Sequence, residues 1–344
     1  MLDGDQIMMA TGKTNSITDV TGLTAGHFTD VRALSGVTVV ICEQGAVAGV
    51  DVRGAAPGTR ETDLLNPINL VEQVQAVTLS GGSVYGLAAS DGVVRWLAQK
   101  KLGFAVDAEH VAPIVPAAVL FDLGRGADFI PAVQADWGFQ ACEAAQRGAL
   151  EQGCCGAGTG AVSGGIKGGL GTASLVLDSG ITAAAVVAVN SLGSVVNPQS
   201  GRIWEQGSEI DDEFKGQTRR RVQLPPAEPA SPATNTTIGI VATDAILTKV
   251  QATKIAQMAH DGLARAIRPA HTMFDGDTIF CLATGQKELP VDTDIYPGQQ
   301  VPALNDIGHA AAECMARAII HGVLSAKSMG SFLAFKDLQD FTLN

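Results

Sequence analysis

The sequence contains few charges, few aromatic side chains and no long uninterrupted apolar run. Of its 344 residues, 17% are charged, 5% are aromatic and 46% are hydrophobic. A chain of this length and composition can bury a sizeable core, which excludes extensive disorder. No run of about 20 apolar residues is free of glycine breaks or strand-like character, so no membrane span is predicted. Residues 1–15 also lack an apolar run long enough for an export signal.

The cysteines show no disulfide framework. There are six of them, no CxxC pair occurs, and Cys154 and Cys155 are adjacent, so they cannot easily bridge each other. Small secreted domains that depend on disulfides have paired, regularly spaced cysteines instead. We therefore expect a reducing, cytoplasmic location.

The charge balance argues against a nucleic-acid partner. The formal net charge is −12 and the pI is about 4.9, so phosphate backbones should be repelled. The one basic run, Arg219 to Arg221, lies close to several acidic residues between 205 and 213. Gly156 to Ala161 matches the dinucleotide pattern GxGxx(G/A), but a predicted helix, and not a strand, precedes it. We predict no nucleotide or other cofactor.

The chain is organised around the stretch from Pro232 to Asp244. The segment before it, Asp211 to Pro232, contains an arginine run and several prolines, and it is predicted not to pack. The segment after it, from Ile238, is β-branched and uncharged until Asp244, which predicts a buried strand. Asn235, Thr236 and Thr237 form the junction between the two.

This junction suggests a specific chemistry. If the peptide bond before Thr236 is cut, the new chain end carries a hydroxyl nucleophile and a free α-amine on one residue. An α-amine has a pKa of roughly 7.7–8.0, so part of it is unprotonated near neutral pH and can act as the base. The alternative is a loop-to-strand junction whose polar side chains only satisfy backbone groups.

Hydrophobic periodicity predicts an α+β fold with two antiparallel sheets packed together and helices outside. The predicted strands are Ile17 to His27, Gly36 to Cys42, Ala46 to Arg53, Val74 to Leu79, Gly171 to Asp178, Ile181 to Asn190 and Thr278 to Ala283. The predicted helices are Val84 to Lys100, Trp137 to Glu151, Leu247 to Ile267 and Pro302 to Leu324.

Three polar residues in apolar surroundings are candidates for a site. Tyr85 follows a glycine-rich strand-to-helix turn, and it is either a packed aromatic or a hydrogen-bond donor facing a pocket. Lys167 is a lone cation in a glycine-rich stretch, and it is either functional or a surface lysine with a buried stem. Asn190 ends an apolar strand, where its amide either caps a turn or serves as an oxyanion donor.

Two carboxylates, Asp275 and Asp277, flank a glycine just before the predicted strand at Thr278. Carboxylates at such a position need hydrogen-bond donors or cations to offset the cost of burial. His271 could join them as metal ligands, but the dense ligand spacing of known metal motifs is absent, so no metal site is predicted.

Several of these motifs together resemble the L-aminopeptidase/D-esterase family, which includes D-aminopeptidases of the DmpA type, β-peptidyl aminopeptidases and the nylon-oligomer endohydrolase. The resemblance runs from about Ile17 to about Leu324. The motifs that carry it are Arg53-Gly54, Pro57 to Asp63, Gly81 to Gly86, Asn235-Thr236-Thr237, Ala242 to Asp244, Ala259 to Gly262 and Asp275 to Thr278.

The resemblance implies a four-layer αββα sandwich formed by residues 1–344 as a single domain. It implies that the chain cuts itself between Asn235 and Thr236, giving a larger part (1–235) and a smaller part (236–344) that stay together. Residues 205–235 are then expected to be a flexible linker. A homo-oligomer, with a tetramer as the expected form, follows from the same resemblance.

The resemblance also implies roles for individual residues. Thr236 is the nucleophile in self-cleavage and in turnover, and Asp275 and Asp277 contact and orient it. Asn190 is the oxyanion donor, Lys167 lies near the nucleophile, and Tyr85 lines the pocket.

The expected function is hydrolysis of amide bonds in small peptides, peptide-like compounds or oligoamides. The Asp-Gly-Asp motif and the Thr nucleophile place the chain nearer the nylon-oligomer type than the aminopeptidases. Two alternatives remain: an acyltransferase of the ornithine acetyltransferase type, and a non-catalytic binding protein on the same scaffold.

Overall fold

The computed structural model describes residues 9–226, 235–293 and 297–340. The strands are β1 (Met9–Thr11), β2 (Thr24–Asp30), β3 (Ser35–Val52), β4 (Gly58–Arg60), β5 (Gln73–Ser80), β6 (Phe104–Ala105), β7 (Val111–Ala112), β8 (Ala117–Val119), β9 (Val162–Ser163), β10 (Ile166–Lys167), β11 (Gly169–Leu177), β12 (Thr182–Val189), β13 (Ile238–Ala245) and β14 (Thr278–Lys287). The α-helices are α1 (Ala89–Gln99), α2 (Ala135–Glu143), α3 (Lys249–Ala266) and α4 (Val301–Leu324).

One hydrogen-bonded network joins ten of these strands, in the order β1-β11-β12-β13-β14-β3-β5-β8-β4, with β2 paired to β3. Strand β3 belongs to both halves of the network. Its first part pairs with β2 and β5, and its last part, from Val47, pairs with β14. The pairing with β5 shifts register between Ile41 and Ala46, where a strand can bend. Strand β3 therefore passes from one sheet half to the other.

The central strands are buried on both faces, and their successive side chains belong alternately to different core clusters, which defines four layers. Val40 and Val77 of one sheet half pack against Val186 and Phe280 of the other, which forms the layer between the sheets. The outer faces pack against helices: the side chains of β12 that alternate with Val186 face α3 and α4, and Val37 with its neighbours faces α1 and α2. This arrangement is the predicted αββα sandwich.

Helix α3 shows how the local sequence starts an element. The Thr248 hydroxyl oxygen accepts a hydrogen bond from the Gln251 backbone N–H, and the Gln251 side-chain oxygen accepts one from the Thr248 backbone N–H, which is a capping box. The helix buries a face of small and apolar residues that includes Ala252, Ile255 and Ala259. None of the helices in the described part of the chain has both the length and the apolar character needed to cross a bilayer.

Several predicted elements differ from the structure at their bounds. The runs from Gly36 and from Ala46 form one strand, β3, because the turn between them is a register shift within the sheet. The segment from Ile17 begins as a short 3-10 helix, and its strand starts only at Thr24. Helix α2 ends at Glu143, because Gln146 leaves the helical path to form a β-bridge with β2.

The prediction that the segment from Asp211 to Pro232 does not pack, and that residues 205–235 are a flexible linker, is wrong for residues 211–226. Phe214 and Val222 are almost completely buried. Arg220 donates hydrogen bonds to carbonyl oxygens of residues 335, 336 and 338. These contacts join the segment to residues 335–338, so Arg220 has a structural role here. Residues 227–234 lie outside the described residues.

Candidate active site

The sheet topology brings the ends of three strands, β12, β13 and β14, to one edge of the sheet. Strands β13 and β14 are parallel, with Ile238 opposite Thr278, so their amino-terminal ends lie side by side. Strand β12 is antiparallel to β13, so its carboxyl end meets the same edge. Thr236, Gly276 and Asn190 flank these ends and are therefore neighbours.

Thr236 is buried at this edge, with 4% of its surface exposed. Its backbone N–H donates to the Asn190 carbonyl oxygen at 2.5 Å. Its hydroxyl oxygen accepts a hydrogen bond from the Gly276 N–H at 3.2 Å, and the hydroxyl donates to the carbonyl oxygen of Asn235. The Thr236 hydroxyl thus contacts the same peptide group that the sequence predicts will be cut.

Asp277 is held by donors on both of its carboxylate oxygens. Oδ1 accepts from the Thr237 N–H at 2.8 Å. Oδ2 accepts from the His271 N–H at 3.1 Å and lies 2.8 Å from His271 Nδ1. The carboxylate is 1% exposed, so these donors replace the water that an ionised group would otherwise need.

Asp275 is bound by neutral donors only. Oδ1 accepts from the Leu192 N–H at 3.1 Å, and Oδ2 accepts from Thr272 through its N–H at 3.1 Å and its hydroxyl at 2.5 Å. Burial raises the pKa of Asp275, and the negative charge of Asp277 adds to this effect, while the donors oppose it. The environments of the two carboxylates therefore differ. Among the described hydrogen bonds, neither carboxylate contacts the Thr236 hydroxyl, which is bound instead by the Gly276 amide between them.

The side chain of Asn190 has a fixed orientation. Its Oδ1 accepts from Arg125 Nη1 and from the Val162 N–H at 3.0 Å. Its Nδ2 donates to the Phe121 carbonyl oxygen at 3.1 Å. Since a carboxamide nitrogen carries two protons, one remains for another acceptor. Asn190 therefore reaches Thr236 through its backbone, and its role as an oxyanion donor stays a prediction.

Lys167 is buried and does not contact the two carboxylates. Its Nζ donates to the carbonyl oxygens of Gly158, Ala161 and Gly168 at 2.8–3.1 Å, which accounts for its three protons. Burial lowers the pKa of Lys167 to about 8, and the nearby Cys154 opposes this effect. The lysine is thus not a surface side chain, and its contacts in the described structure fix a glycine-rich loop.

Tyr85 is 46% exposed and lies in a short 3-10 helix, Ser83–Ala88. The turn before this helix places Gly82 at a φ of 84°, a conformation that favours glycine. Its ring reaches solvent, and among the described residues no hydrogen bond joins it to Thr236. Its place in the substrate pocket remains a prediction.

Two charged side chains at the site, Asp122, which is buried, and Arg125, which is partly buried, were not predicted from the sequence. Asp122 accepts from the Gly82 N–H at 2.6 Å, and burial raises its pKa. Arg125 donates to Asn190 and to the Gly160 carbonyl oxygen, and burial lowers its pKa to about 10. Both residues lie in a loop between apolar segments, where only the spacing of an acid and a base three residues apart could have drawn attention to them.

His271 lies beside Asp277, but not in a group of metal ligands. Within residues 9–226, 235–293 and 297–340, no cluster of three or more His, Cys, Asp or Glu side chains is arranged to hold a metal ion. The contact between His271 and Asp277 is instead a hydrogen-bonded pair.

Comparison with known proteins places this geometry in a family. Residues 15–334 match peptidase family S58. The chain is 47% identical over 335 residues to an uncharacterized aminopeptidase of Mycobacterium leprae, covering 92% of this chain and 91% of that protein. It is 29% identical over 325 residues to a 6-aminohexanoate-oligomer endohydrolase of Kocuria sp., covering 90% of this chain and 86% of that protein.

Solved structures share the fold. A β-aminopeptidase of Burkholderia sp. superposes with a TM-score of 0.70 at 25% identity, covering 93% of this chain and 89% of that one. An L-aminopeptidase D-Ala-esterase/amidase from Ochrobactrum anthropi, described as a variant of the Ntn hydrolase fold, superposes with a TM-score of 0.70 at 22% identity, covering 94% and 89%. The family and its relatives define a peptide or amide hydrolase, and the fold is the one that these solved structures share. The chain belongs to peptidase family S58.

Proposed function

We propose that this hydrolase activates itself by cutting the bond between Asn235 and Thr236, and that Thr236 is then its nucleophile. The observation that carries the proposal is the position of the Thr236 hydroxyl. It lies between the Gly276 N–H and the Asn235 carbonyl, at the buried edge where β12, β13 and β14 meet.

This geometry supports self-cleavage. The Thr236 oxygen attacks the carbonyl carbon of Asn235 and loses its proton, and the carbon–nitrogen bond breaks as the nitrogen takes up a proton. The resulting ester is hydrolysed by water, which leaves a carboxylate on Asn235 and restores the Thr236 hydroxyl. The Asn190 carbonyl, which holds the Thr236 nitrogen at 2.5 Å before the cut, is placed to hold the new α-amine afterwards.

Turnover uses the same atoms. The Thr236 oxygen attacks the substrate carbonyl, and its proton passes to the α-amine and from there to the departing amine. The acyl-enzyme ester is then hydrolysed by water. The second proton of Asn190 Nδ2 and a backbone amide are the donors proposed for the oxyanion, and each such donor is typically worth about 3 kcal/mol of barrier.

We assign the two carboxylates different roles. Asp277 has a histidine and two backbone donors and serves as the fixed anion. Asp275, whose pKa is raised by burial and by Asp277, is the group better suited to carry a proton during the reaction. Lys167 contributes by fixing the loop from Gly158 to Gly168.

The substrates proposed are small peptides, peptide-like amides or oligoamides. Support comes from the relatives, which are named as aminopeptidases and as an oligomer endohydrolase. Product analysis of the purified enzyme with amino-acid amides and with 6-aminohexanoate oligomers separates exo from endo cleavage. An acyl product formed only with an added amine would instead indicate an acyltransferase.

The decisive variant is Thr236→Ala, and Thr236→Ser is its matched control. Without the hydroxyl, the chain should remain one band on a denaturing gel and lose hydrolysis. The serine variant keeps an attacking oxygen and should be cut and active. Two bands or retained hydrolysis from the alanine variant would contradict the proposal.

We also infer that the enzyme forms a homo-oligomer, with a tetramer as the expected form. Ile68 and Leu70 are 87% and 84% exposed. Their loop is held in place by Lys249, whose Nζ donates to three of its carbonyl oxygens at 3.0–3.1 Å. Apolar side chains held outward in this way favour association. Light scattering on the purified protein measures the assembly, and a mass of one chain pair would contradict the inference.

We infer a cytoplasmic location from the cysteines. All six are free, which fits a reducing compartment. Fractionation of the native cells tests this inference, and recovery of the protein outside the cytoplasm would contradict it.

A further inference from the structure

His271 makes a contact that the mechanism above leaves unexplained. Its backbone N–H and its ring Nδ1 both bind one oxygen of Asp277, Oδ2, at 3.1 and 2.8 Å. The residue has a φ of 53°, a left-handed conformation that costs a non-glycine residue free energy. The surrounding structure must therefore stabilise His271 in this position.

The contact continues to the residue beside the nucleophile. The other oxygen of Asp277, Oδ1, accepts from the Thr237 N–H at 2.8 Å. The Asp277 backbone is fixed separately, because its carbonyl oxygen accepts from the Arg53 and Gly54 N–H groups at 3.0 and 3.1 Å. The orientation of the carboxylate is thus set by the hydrogen-bond donors to its two oxygens. Among these donors in the described structure, the His271 ring is the one that belongs to a side chain.

A second histidine ring packs against the other side of His271. His260 packs against it edge-on, with ring centroids 4.8 Å apart. Burial lowers the pKa of His260 to about 4, so it is uncharged near neutral pH. Behind it, the His260 ring binds the Asp51 carbonyl oxygen at 3.1 Å and lies 3.6 Å from the Asp51 carboxylate, and that carboxylate pairs with Arg53. The charged or titratable groups that the described contacts place around His271 are Asp277 in direct contact, His260 against the ring, Asp51 and Arg53 beyond it, and Asp275, which is bound by the neighbouring Thr272.

We propose that His271 is a positioning residue for the hydrolytic reaction: its Nδ1–H holds the Asp277 carboxylate, and through it the Thr237 amide, so that Thr236 is presented to the carbonyl it attacks. This inference rests on the proposed role of Thr236. It requires the tautomer or charge state in which Nδ1 carries a proton, because a carboxylate only accepts hydrogen bonds.

Two substitutions separate the hydrogen bond from the size of the side chain. His271→Asn places an amide nitrogen near the position of Nδ1, and asparagine tolerates a positive φ. His271→Gln keeps the amide but moves it one bond further, nearer the position of Nε2. His271→Ala removes the donor. His110→Ala is the matched control, because His110 makes a similar 2.8 Å contact with Asp107 on the surface.

The measurement is kcat and KM per processed chain as a function of pH. We expect His271→Asn to stay within about threefold of the wild type, because it keeps a donor to the charged carboxylate. We expect kcat to fall roughly tenfold or more in His271→Gln and His271→Ala, with KM within about twofold, since a hydrogen bond to a charged group is lost.

Equal rates for the asparagine and glutamine variants, or wild-type rates in all three, would overturn the proposal. If the alanine variant does not fold, the asparagine and glutamine variants still decide the question once their melting temperatures are compared. If glutamine blocks self-cleavage and asparagine does not, the proposal is supported, because both reactions need the same presentation of Thr236. Thr236→Ala tells the two proposals apart. If that variant still hydrolyses substrate, Thr236 is not the nucleophile. If that variant is inactive and the His271 variants keep wild-type rates, only the role of His271 is refuted.

Discussion

Replacing Glu213 with glutamine should destabilise the uncut chain by about 3 kcal/mol at neutral pH. Glu213 lies in the segment before the proposed cut, and its partners include Arg317 and His321 of α4. Arg317 donates to it at 2.6 and 2.8 Å, and His321 Nε2 lies 2.7 Å away. The Arg317 side chain is fully buried and that of Glu213 is 8% exposed. Glutamine would therefore leave a buried guanidinium without its counter-charge.

The lowered pKa of Glu213 corresponds to a similar magnitude and gives it a pH dependence. Burial alone would raise the pKa of Glu213, but hydrogen bonds from His321 and Arg317 outweigh it and lower the pKa from 4.5 to about 2. A carboxylate whose pKa is lowered on folding stabilises the native state above its unfolded pKa, and the contribution is lost as the pH falls toward the folded pKa. The stabilisation is thus present above about pH 4.5 and lost between 4.5 and 2. At about 1.4 kcal/mol per pKa unit, this shift corresponds to roughly 3 kcal/mol.

The assay is urea unfolding from pH 7 to pH 2 in a Thr236→Ala background, which should keep one chain. Glu209→Gln is the control, because Glu209 accepts only from neutral groups of Phe214 and Thr218 and should cost about 1 kcal/mol. The reasoning is refuted if Glu213→Gln unfolds like this control at pH 7, or if its deficit stays constant as the pH falls.

Three further predictions concern the site and its supports. Asn190→Ala should lower kcat by roughly a hundredfold with little change in KM, as steady-state kinetics would show, because an oxyanion donor acts mainly in the transition state; a change confined to KM would contradict this. The unfolding free energy of the wild type should rise relative to that of Lys167→Met by about 2–3 kcal/mol between pH 8 and 10.5. The reason is that burial lowers the pKa of Lys167 from 10.5 to about 8, so the unfolded lysine binds more protons than the buried one in that window. Parallel pH profiles of the two proteins would contradict this prediction. Gly262→Ala should lower the melting temperature and cost about 1–3 kcal/mol of unfolding free energy, because its Cβ would lie 2.0 Å from the Ala312 carbonyl oxygen. Gly207→Ala is the neutral control, since the atom nearest to its Cβ would be 3.6 Å away. Equal stabilities of the two variants would refute the packing argument.

The layered fold was predictable because apolar side chains recur along the sequence with the periods of strands and helices. The apolar runs that became β11 and β12 were predicted nearly to their ends, and so were α3 and α4. The continuity of β3 was not predictable, because the segment between Ile41 and Ala46 resembles a turn and only its partner strand makes it a register shift. The packed segment at 211–226 was missed because the arginines and prolines around it obscured Phe214 and Val222, whose burial depends on α4 and the chain end.

The site was predictable in its residues more than in its contacts. The junction at Thr236 and the Asp-Gly-Asp motif stand out because polar residues beside buried strands need partners. Which partners they have depends on the fold: the Gly276 amide, and neither of the flanking carboxylates, binds the Thr236 hydroxyl. Lys167 was expected near the nucleophile, but its ammonium is bound by three backbone carbonyl oxygens. Arg125 was missed because nothing in its own loop indicates a hydrogen bond to Asn190, which is 65 residues away in the sequence.

The most direct test of the central claim is an intact-mass spectrum of the freshly purified, active enzyme, combined with N-terminal sequencing. We predict two chains, 1–235 and 236–344, with the second beginning Thr-Thr-Ile-Gly. A single unbroken chain with full activity, or a second chain that begins at any other residue, would contradict the account.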